Sequence, residues 1–384
     1  MKPHTKKLFA QIKNAVLITA ILIAVPLCIG TKDPFVTYGA AIITVALTGV
    51  LLYTNGFGET KAPLVKGGAS LILSPDNLTI SVEAATADGS AVTVEGCTET
   101  TLASGTETTL HAQGTAVILK GKITELYCRD NQLIALNIQG LRALQELYCG
   151  GNQLTSLNVQ GLSVLQGLFC QDNRLTTLNV QGLSALQGLN CNSNQLLSLN
   201  VQGLTALQEL DCENNQLTFL NVQECTALQR LDCNSNQLTF LNVQECTALQ
   251  GLSCNNNQLA SLNVQGLSAL QSLYCNSNQL TALNVQSLST LQELYCGNNQ
   301  LTSISVQGLS ALKELECDRN QLTAQALTIL LTGLPVRLPS DDAKCTLYAE
   351  DSKKGNHTDF TAPAELYTAL QDASCVTGIQ MGMT

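Results

Sequence analysis

Cysteine thiols recur at a fixed spacing of 21 residues, and thiols in a regular array can bind metal ions or form disulfides. No Cys-x-x-Cys pair occurs in the chain, so the spacing gives no support for a zinc site. Neighbouring copies in a stack would lie about 4.8 Å apart, but parallel side chains in register point the same way and suit a disulfide poorly. We therefore expect small buried hydrophobes, with no metal and no cofactor. The cysteines are Cys128, Cys149, Cys170, Cys191, Cys212, Cys233, Cys254, Cys275, Cys296 and Cys317.

Catalytic chemistry has little support elsewhere in the chain. The three histidines, His4, His111 and His357, lie outside the region that contains the cysteines. No Ser/His/Asp set, P-loop or His-rich metal motif occurs. The formal net charge is −10, and basic residues are sparse after the first 14 residues, which argues against nucleic acid as a partner. We predict that the protein is not an enzyme.

The cysteines belong to a repeat that must position them. Its clearest copy runs from Leu207 to Leu217 and reads Leu-x-x-Leu-x-Cys-x-x-Asn-x-Leu. Ten returns at one period predict a solenoid in which each repeat is one turn. The asparagine follows the same period, and an inward amide can satisfy buried backbone groups where the chain leaves a strand. This predicts a structural ladder of Asn131, Asn152, Asn173, Asn194, Asn215, Asn236, Asn257, Asn278, Asn299 and Asn320.

A binding function, if present, is expected at the residue before each cysteine, which should face outward on the strand. We call these ten residues the outward column: Tyr127, Tyr148, Phe169, Asn190, Asp211, Asp232, Ser253, Tyr274, Tyr295 and Glu316. Exposed aromatic residues are typical of protein-binding surfaces, although Tyr and Phe also favour strands for their own sake. The candidate ligand-binding residues are Tyr127, Tyr148, Phe169, Asp211, Asp232, Tyr274 and Tyr295. Phe219 and Phe240 lie at another position and are predicted to pack between repeats.

The repeat resembles the leucine-rich repeats of bacterial internalin-like surface proteins, over Ile123 to about Leu322. The resemblance lies in the motif, the 21-residue period and the filler Leu-Thr-x-Leu-Asn-Val-Gln-Gly-Leu. It implies an α/β solenoid, a horseshoe with a parallel β-sheet on its concave face, and a role in binding. It names no ligand.

The first 58 residues are predicted to be a signal or membrane-anchor segment. Lysines precede two apolar runs, 15–30 and 36–53, and the positive-inside rule places the N-terminus in the cytoplasm. The first run could be a signal peptide or signal anchor, both runs could span as a hairpin with cytoplasmic repeats, or Cys28 could be lipidated. We favour export to the cell envelope, mainly because the family resemblance points outward.

The remaining segments are predicted to cover the two ends of the solenoid. Residues 59–122 have short apolar or alternating stretches and are predicted to form a β-rich spacer and N-terminal cap. Residues 123–322 are the ten repeats. Residues 323–384 are predicted to form a small α/β cap, with helices over 324–331 and 361–373 and strands over 345–349 and 376–381. Asn77-Leu-Thr and Asn356-His-Thr also match the glycosylation sequon.

These patterns predict a non-catalytic envelope protein whose concave face binds another macromolecule, a protein, in adhesion or a partner interaction. One alternative is a structural spacer without a specific ligand, for which a uniform outward column would be typical. Another is a ubiquitin-ligase-like effector, since some bacterial leucine-rich-repeat proteins are ligases with a catalytic cysteine in a Cys-x-Asp motif. The corresponding thiol here reads Cys345-Thr-Leu, without the acid.

Overall fold

The computed structural model describes residues 62–336, 343–347, 355–359 and 363–372 of the 384-residue chain. The chain divides into two units, Met1–Glu59 and Thr60–Thr384, and the described residues belong to the second. The predicted anchor segment 1–58, with Cys28, lies outside the described residues, as does the predicted strand 376–381. No helix within the described part of the chain is long and apolar enough to cross a membrane.

Short strands dominate the described residues, and two helices lie after the last repeat. The strands are β1 (Gly68–Leu73), β2 (Thr79–Thr86), β3 (Val92–Glu95), β4 (Thr101–Leu102), β5 (Thr108–His111), β6 (Ala116–Lys120), β7 (Ile123–Tyr127), β8 (Leu133–Asn137), β9 (Glu146–Tyr148), β10 (Gly167–Phe169), β11 (Gly188–Asn190), β12 (Ser198–Asn200), β13 (Glu209–Asp211), β14 (Phe219–Asn221), β15 (Arg230–Asp232), β16 (Gly251–Ser253), β17 (Ser272–Tyr274), β18 (Glu293–Tyr295), β19 (Glu314–Glu316) and β20 (Lys344–Thr346). The helices are α1 (Ala324–Gly333) and α2 (Ala364–Asp372).

One strand from each of the ten repeats joins a parallel sheet, in the order β7, β9, β10, β11, β13, β15, β16, β17, β18, β19. Neighbouring repeats pair without a shift, so that Leu168 lies opposite Leu147 on one side and Leu189 on the other. The central leucine of each strand points into the core while its neighbours point outward, because side chains alternate along a strand. The predicted leucine-rich-repeat solenoid is confirmed.

The return path of each repeat has no helix. Between the second and third repeats, Leu162 donates its N–H to the carbonyl of Val159, and Leu165 donates to that of Leu162, which closes two successive tight turns. These tight turns resemble the 3₁₀-like return expected for a filler that is too short for a crossover helix. In the middle of the array, β12 and β14 pair to form a small second sheet on this side.

The asparagines bridge successive repeats and are between 2% and 8% exposed. In a typical copy, Asn215 Oδ1 accepts a hydrogen bond from Leu196 N at 3.0 Å, in the preceding repeat. Its Nδ2 donates to the carbonyl oxygens of Cys191, Cys212 and Glu213 at 3.0, 3.2 and 3.1 Å. Each amide therefore satisfies backbone groups in its own turn and in the one before, which buried polar groups require.

Antiparallel strands precede the repeats. Strand β2 pairs with β7 and extends the parallel sheet, while β1 pairs with both β6 and β8. Asn131, the first ladder residue, bonds to the peptide group of Ser81 in β2, accepting from its N–H at 2.8 Å and donating to its carbonyl oxygen at 2.7 Å. The ladder therefore begins on a segment that is not a repeat.

At the other end, β20 adds a further parallel strand beside β19, and Cys345 pairs with Leu315. Thr323 caps α1 by accepting from Ala326 N, and α2 begins at Ala364 rather than at the predicted residue 361. Asn356 is 5% exposed and extends the ladder by one position, since its Oδ1 accepts from Leu322 N at 3.0 Å. Its burial makes it inaccessible as a glycan acceptor in the folded chain.

Candidate binding surface

The outward column runs across the parallel sheet, one residue per strand. Each member follows a buried leucine and precedes a buried cysteine, and each is itself half-buried. Because the strands pair in register, Tyr127 lies beside Tyr148, Tyr148 beside Phe169, and Tyr274 beside Tyr295. The column therefore forms one continuous surface, and the type of side chain along it changes from one repeat to the next.

Three aromatic rings stack at its N-terminal end. The centroids of Tyr127 and Tyr148 are 4.4 Å apart with an interplanar angle of 7°. Those of Tyr148 and Phe169 have the same separation and angle. Tyr127 donates its hydroxyl hydrogen to Glu125 Oε2 at 3.2 Å, and burial, with the nearby Glu125 carboxylate, raises the pKa of Tyr127 to about 12. The stack is a rigid, mainly apolar element that keeps a neutral hydroxyl at its start.

A second aromatic pair lies near the C-terminal end, with a different arrangement. The rings of Tyr274 and Tyr295 meet edge to face, with centroids 5.0 Å apart and an angle of 66°. Tyr274 donates its hydroxyl hydrogen to Glu293, and Tyr295 donates to Glu314, each in the following repeat. These bonds orient the phenols, so this end presents polar as well as aromatic groups.

The central residues of the column have a structural role that the sequence analysis did not predict. Asn190 Oδ1 accepts from the N–H of Asn192 at 3.1 Å, and Asp211 Oδ1 accepts from that of Glu213 at the same distance. Asp232 Oδ1 accepts in the same way from Asn234 at 3.0 Å. Such turns are typical of Asn and Asp, so the residue types alone could have indicated them.

A pocket of about 510 Å³ opens in the middle of the column. Phe169 bounds it at one end, and Asn190, Asp211 and Asp232 are among the residues of its lining. Two glycines of its lining, Gly188 and Gly251, occupy the first strand position, where most other repeats have Glu, Ser or Arg. Among the described residues that line it, Arg230 is the single base, and its Nη1 lies 2.9 Å from Glu209 Oε1.

Carboxylates give this pocket its charge. Oxygen atoms of Asp211, Glu213 and Asp232 lie within 4.8 Å of one another. Burial, reinforced by the carboxylates of Glu213 and Asp211, raises the pKa of Asp232 to about 6, although the N–H of Asn234 acts in the opposite direction. Carboxylate oxygens attract both hard metal ions and positively charged side chains. The acids predicted from the sequence are thus brought together, and Glu213 joins them from outside the column.

The ten repeat cysteines are fully buried beneath this surface. All fourteen cysteines among the described residues are free. Burial raises the pKa of Cys128 and of Cys170 to about 12, and it raises that of Cys191 well above its usual range. A neutral buried thiol behaves as a small hydrophobe, so the cysteines fill the core of the sheet.

Phe219 and Phe240 lie away from the outward column, on the return side of the repeats. Phe219 is half-buried in β14, but Phe240 is 44% exposed. At the equivalent positions of other repeats, Ser198 is half-buried and Ser261 is exposed. Packing of both phenylalanines between repeats stays a prediction.

This geometry defines a leucine-rich-repeat protein: a parallel strand per repeat, a buried leucine core and an asparagine ladder. Among solved structures, the functional domain of InlJ from Listeria monocytogenes, described as including a cysteine ladder, is 32% identical with a TM-score of 0.53. A leucine-rich-repeat protein of Leptospira interrogans is 30% identical with a TM-score of 0.51. The solenoid is of the internalin-like type that the sequence resemblance indicated.

The similarity is partial on both sides. It covers 59% of this chain and 49% of the InlJ chain, and 57% of this chain and 59% of the Leptospira chain. No family model and no curated protein matches the chain. The comparisons therefore concern the repeat architecture.

Proposed function

We propose that the protein is non-catalytic and binds a protein partner through the outward column. The observation that supports this most directly is the arrangement of two aromatic clusters, Tyr127–Tyr148–Phe169 and Tyr274–Tyr295, on either side of an acidic pocket. Protein interfaces favour aromatic anchors placed beside polar groups. All of these groups are mounted on one hydrogen-bonded sheet, so little ordering is required when a partner binds.

A uniform outward column would favour the alternative of a structural spacer. The return path fits that alternative, since its filler sequence changes little between repeats. The outward column does not, because it passes from stacked rings through acids to hydrogen-bonded tyrosines. Variation on the outward face, beside a nearly uniform return path, favours recognition over spacing.

The ligase-like alternative requires a reactive thiol outside the repeats. Cys345 is 1% exposed in β20, and burial raises its pKa to about 12. A nucleophilic cysteine needs the opposite environment, with access to solvent and a lowered pKa. Cys345 therefore packs in the core beneath β20. Its environment does not favour a ligase-like activity over the proposed binding function.

We also propose that the repeats are displayed outside the cytoplasmic membrane, as an envelope protein in an adhesion or partner interaction. The support is the lysine-led apolar start of the chain together with the internalin-like repeats. Protease treatment of intact cells should remove the repeats. Their survival on intact cells, with digestion only after lysis, would contradict display.

The binding proposal is tested with the full chain as bait in a partner screen, followed by quantitative binding to the partner recovered. The triple variant Tyr127→Ser, Tyr148→Ser, Phe169→Ser should bind at least about thirtyfold more weakly, since one buried aromatic anchor contributes about 2 kcal/mol. Serine is a tolerated residue at this position, as Ser253 demonstrates.

The matched control is Phe240→Ser, which removes an exposed aromatic residue from the return side of the array, in the sixth repeat. It should leave affinity within about twofold of the wild type, the range of a change outside an interface. If Phe240→Ser abolishes binding and the triple variant does not, the return side is the functional surface and the proposal is wrong.

A further inference from the structure

The aromatic stack ends at the pocket with Phe169. Only one face of the Phe169 ring is stacked on another aromatic ring among the described residues. Tyr148 stacks on one face of Phe169 at 4.4 Å, so the opposite face of Phe169 is directed toward the next strand, β11. Phe169 is also one of the residues that line the pocket. The stack therefore ends on a flat apolar surface that borders the cavity.

The next strand leaves room beside that surface. Gly188 has no side chain, and a Cβ built on it would lie 3.6 Å from Phe169 Cζ, within ordinary contact. The Asn190 side chain is folded back onto the N–H of Asn192 at 3.1 Å and does not extend the stack. Adjacent strands are about 4.8 Å apart, close to the 4.4 Å ring spacing. A planar group of the partner placed at this spacing would form a fourth layer of the stack.

The far side of the same space is negatively charged. Asp211 follows Asn190 on the sheet, and Asp232 follows Asp211. Asn192 Nδ2 donates to Asp211 Oδ2 at 2.7 Å, and this neutral amide leaves the charge of the carboxylate uncompensated. Arg230 is engaged with Glu209. A group that completes the stack therefore meets carboxylates on its other side and should be cationic.

We propose that this pocket receives an arginine side chain of the protein partner, with its guanidinium stacked on Phe169 and its positive charge facing the carboxylates of Asp211 and Asp232 across the pocket. The proposal rests on the proposed function and specifies the partner's chemistry. Arginine is planar, stacks on aromatic faces and donates to carboxylates in a fork, whereas the lysine ammonium has no face to stack. A metal ion would bind the carboxylates, but it would contact neither the free face of Phe169 nor the space beside Gly188.

The experiment uses the full chain with 4-fluorophenylalanine at its seven phenylalanines and reads ¹⁹F chemical shifts. Loss of one signal in Phe169→Leu assigns the resonance in the pocket. The probe is N-acetyl-arginine methylamide, and the isosteric neutral control is the citrulline analogue. Arginine should shift the Phe169 signal saturably and leave those of Phe219 and Phe240 in place, while citrulline should bind at least about tenfold more weakly.

Matched variants test the carboxylates. In the double variant Asp211→Asn, Asp232→Asn, the amide oxygens can keep the turn bonds, as Asn190 does naturally, so the fold is expected to persist. Arginine binding should weaken about tenfold. The control is Asp172→Asn, an exposed acid that does not line the pocket, and it should leave binding unchanged.

Three results would overturn the proposal: an unchanged Phe169 signal, equal binding of arginine and citrulline, or an unchanged affinity in the double variant. If calcium chloride shifts the Phe169 signal at millimolar concentration and arginine does not, the acids form a metal site. None of these results depends on a protein partner. Failure here therefore leaves the test of the aromatic triple variant intact, and the two proposals can fail separately.

Discussion

Asn356 Nδ2 donates a hydrogen bond to the carbonyl oxygen of Cys317 at 2.8 Å, as Asn320 Nδ2 does to that of Cys296 at 3.0 Å. Asn356 also donates to Leu347 O at 2.9 Å, which corresponds to the bond from Asn320 to Cys317 O at 3.1 Å. The segment after the repeats thus supplies an eleventh rung of the ladder, with Leu347 in the place of a cysteine.

Replacing Asn356 with alanine should destabilise the C-terminal end of the array. The change leaves two buried carbonyl groups and the N–H of Leu322 without their side-chain partner, at a cost of about 1–3 kcal/mol. Asn215→Ala should cost a similar amount in the middle of the array. The measurement is the urea unfolding midpoint. Thr358→Ala, at an exposed neighbouring position, is the control, and an equal loss there would contradict the role of Asn356.

The regular part of this fold was predictable because it repeats. A fixed period places Leu, Cys and Asn at equivalent positions ten times, and period and residue type together indicate the strand, the core and the buried amide. The eleventh rung was missed for a physical reason. A segment of eight residues separates Leu347 from Asn356, where the repeats have two residues between cysteine and asparagine. Spacing alone cannot detect a contact across such an insertion.

The candidate surface was predictable by position but not by geometry. Alternation along a strand placed Tyr148 and Phe169 on one face, yet their parallel stacking depends on side-chain rotation, which has no sequence signal. The edge-to-face pair of Tyr274 and Tyr295 has the same spacing and a different angle. The pocket depends on glycines such as Gly188. The sequence shows each glycine, but the space that it leaves is apparent only from the positions of its neighbours.

Thiol reagents should react with few of the repeat cysteines in the folded protein. These cysteines are fully buried, and burial raises their pKa values, so both access and the thiolate form are lacking. Counting labelled thiols by intact-protein mass, with and without denaturant, measures this directly. Rapid labelling of most of them without denaturant would show that the core of the sheet is not closed.

Glycine in place of Ser235 should stabilise the repeats. Ser235 has a φ of 52°, and its counterparts one residue before each ladder asparagine have φ values between 49° and 64°, such as Ser193 at 50°. A left-handed conformation costs roughly 1–2 kcal/mol for most residues, and glycine avoids that cost but loses more entropy on folding. A net gain of about 0.5 kcal/mol is expected.

The comparison for this prediction is Asn214→Gly, because Asn tolerates the left-handed region better than Ser. Asn214 has a φ of 52° as well, so the backbone is matched. Its replacement should give little or no gain in the unfolding midpoint. A larger gain at Asn214 than at Ser235 would mean that backbone strain is not the cause.

Acidification should reduce the stability difference between the wild type and Asp232→Asn. Burial, with Glu213 and Asp211 nearby, raises the pKa of Asp232 from 3.8 to about 6. The folded chain then holds this proton to a higher pH than the unfolded chain, so stability falls as pH rises from about 4 to about 6. At pH 8 the variant should be more stable than the wild type, and near pH 4 the advantage should be small.

Urea midpoints of both proteins at the two pH values give the result, and Asp172→Asn controls for loss of an exposed carboxylate. An advantage of Asp232→Asn that is the same at both pH values would contradict a raised pKa at this site. The same titration weakens the proposed arginine pocket at low pH, because a protonated Asp232 no longer attracts a cation.

The asparagine ladder also determines how such a chain can change in length. Residues 217–228 and 238–249 have identical sequences, so two successive turns are interchangeable over that stretch. Because every amide bonds only to its own turn and the one before, removing or duplicating one 21-residue unit leaves each remaining amide with an equivalent partner, and Ser81 and Asn356 still occupy the ends. Tandem duplication in the gene can therefore widen the interval between the two aromatic clusters in steps of one strand, without redesign of the protein core.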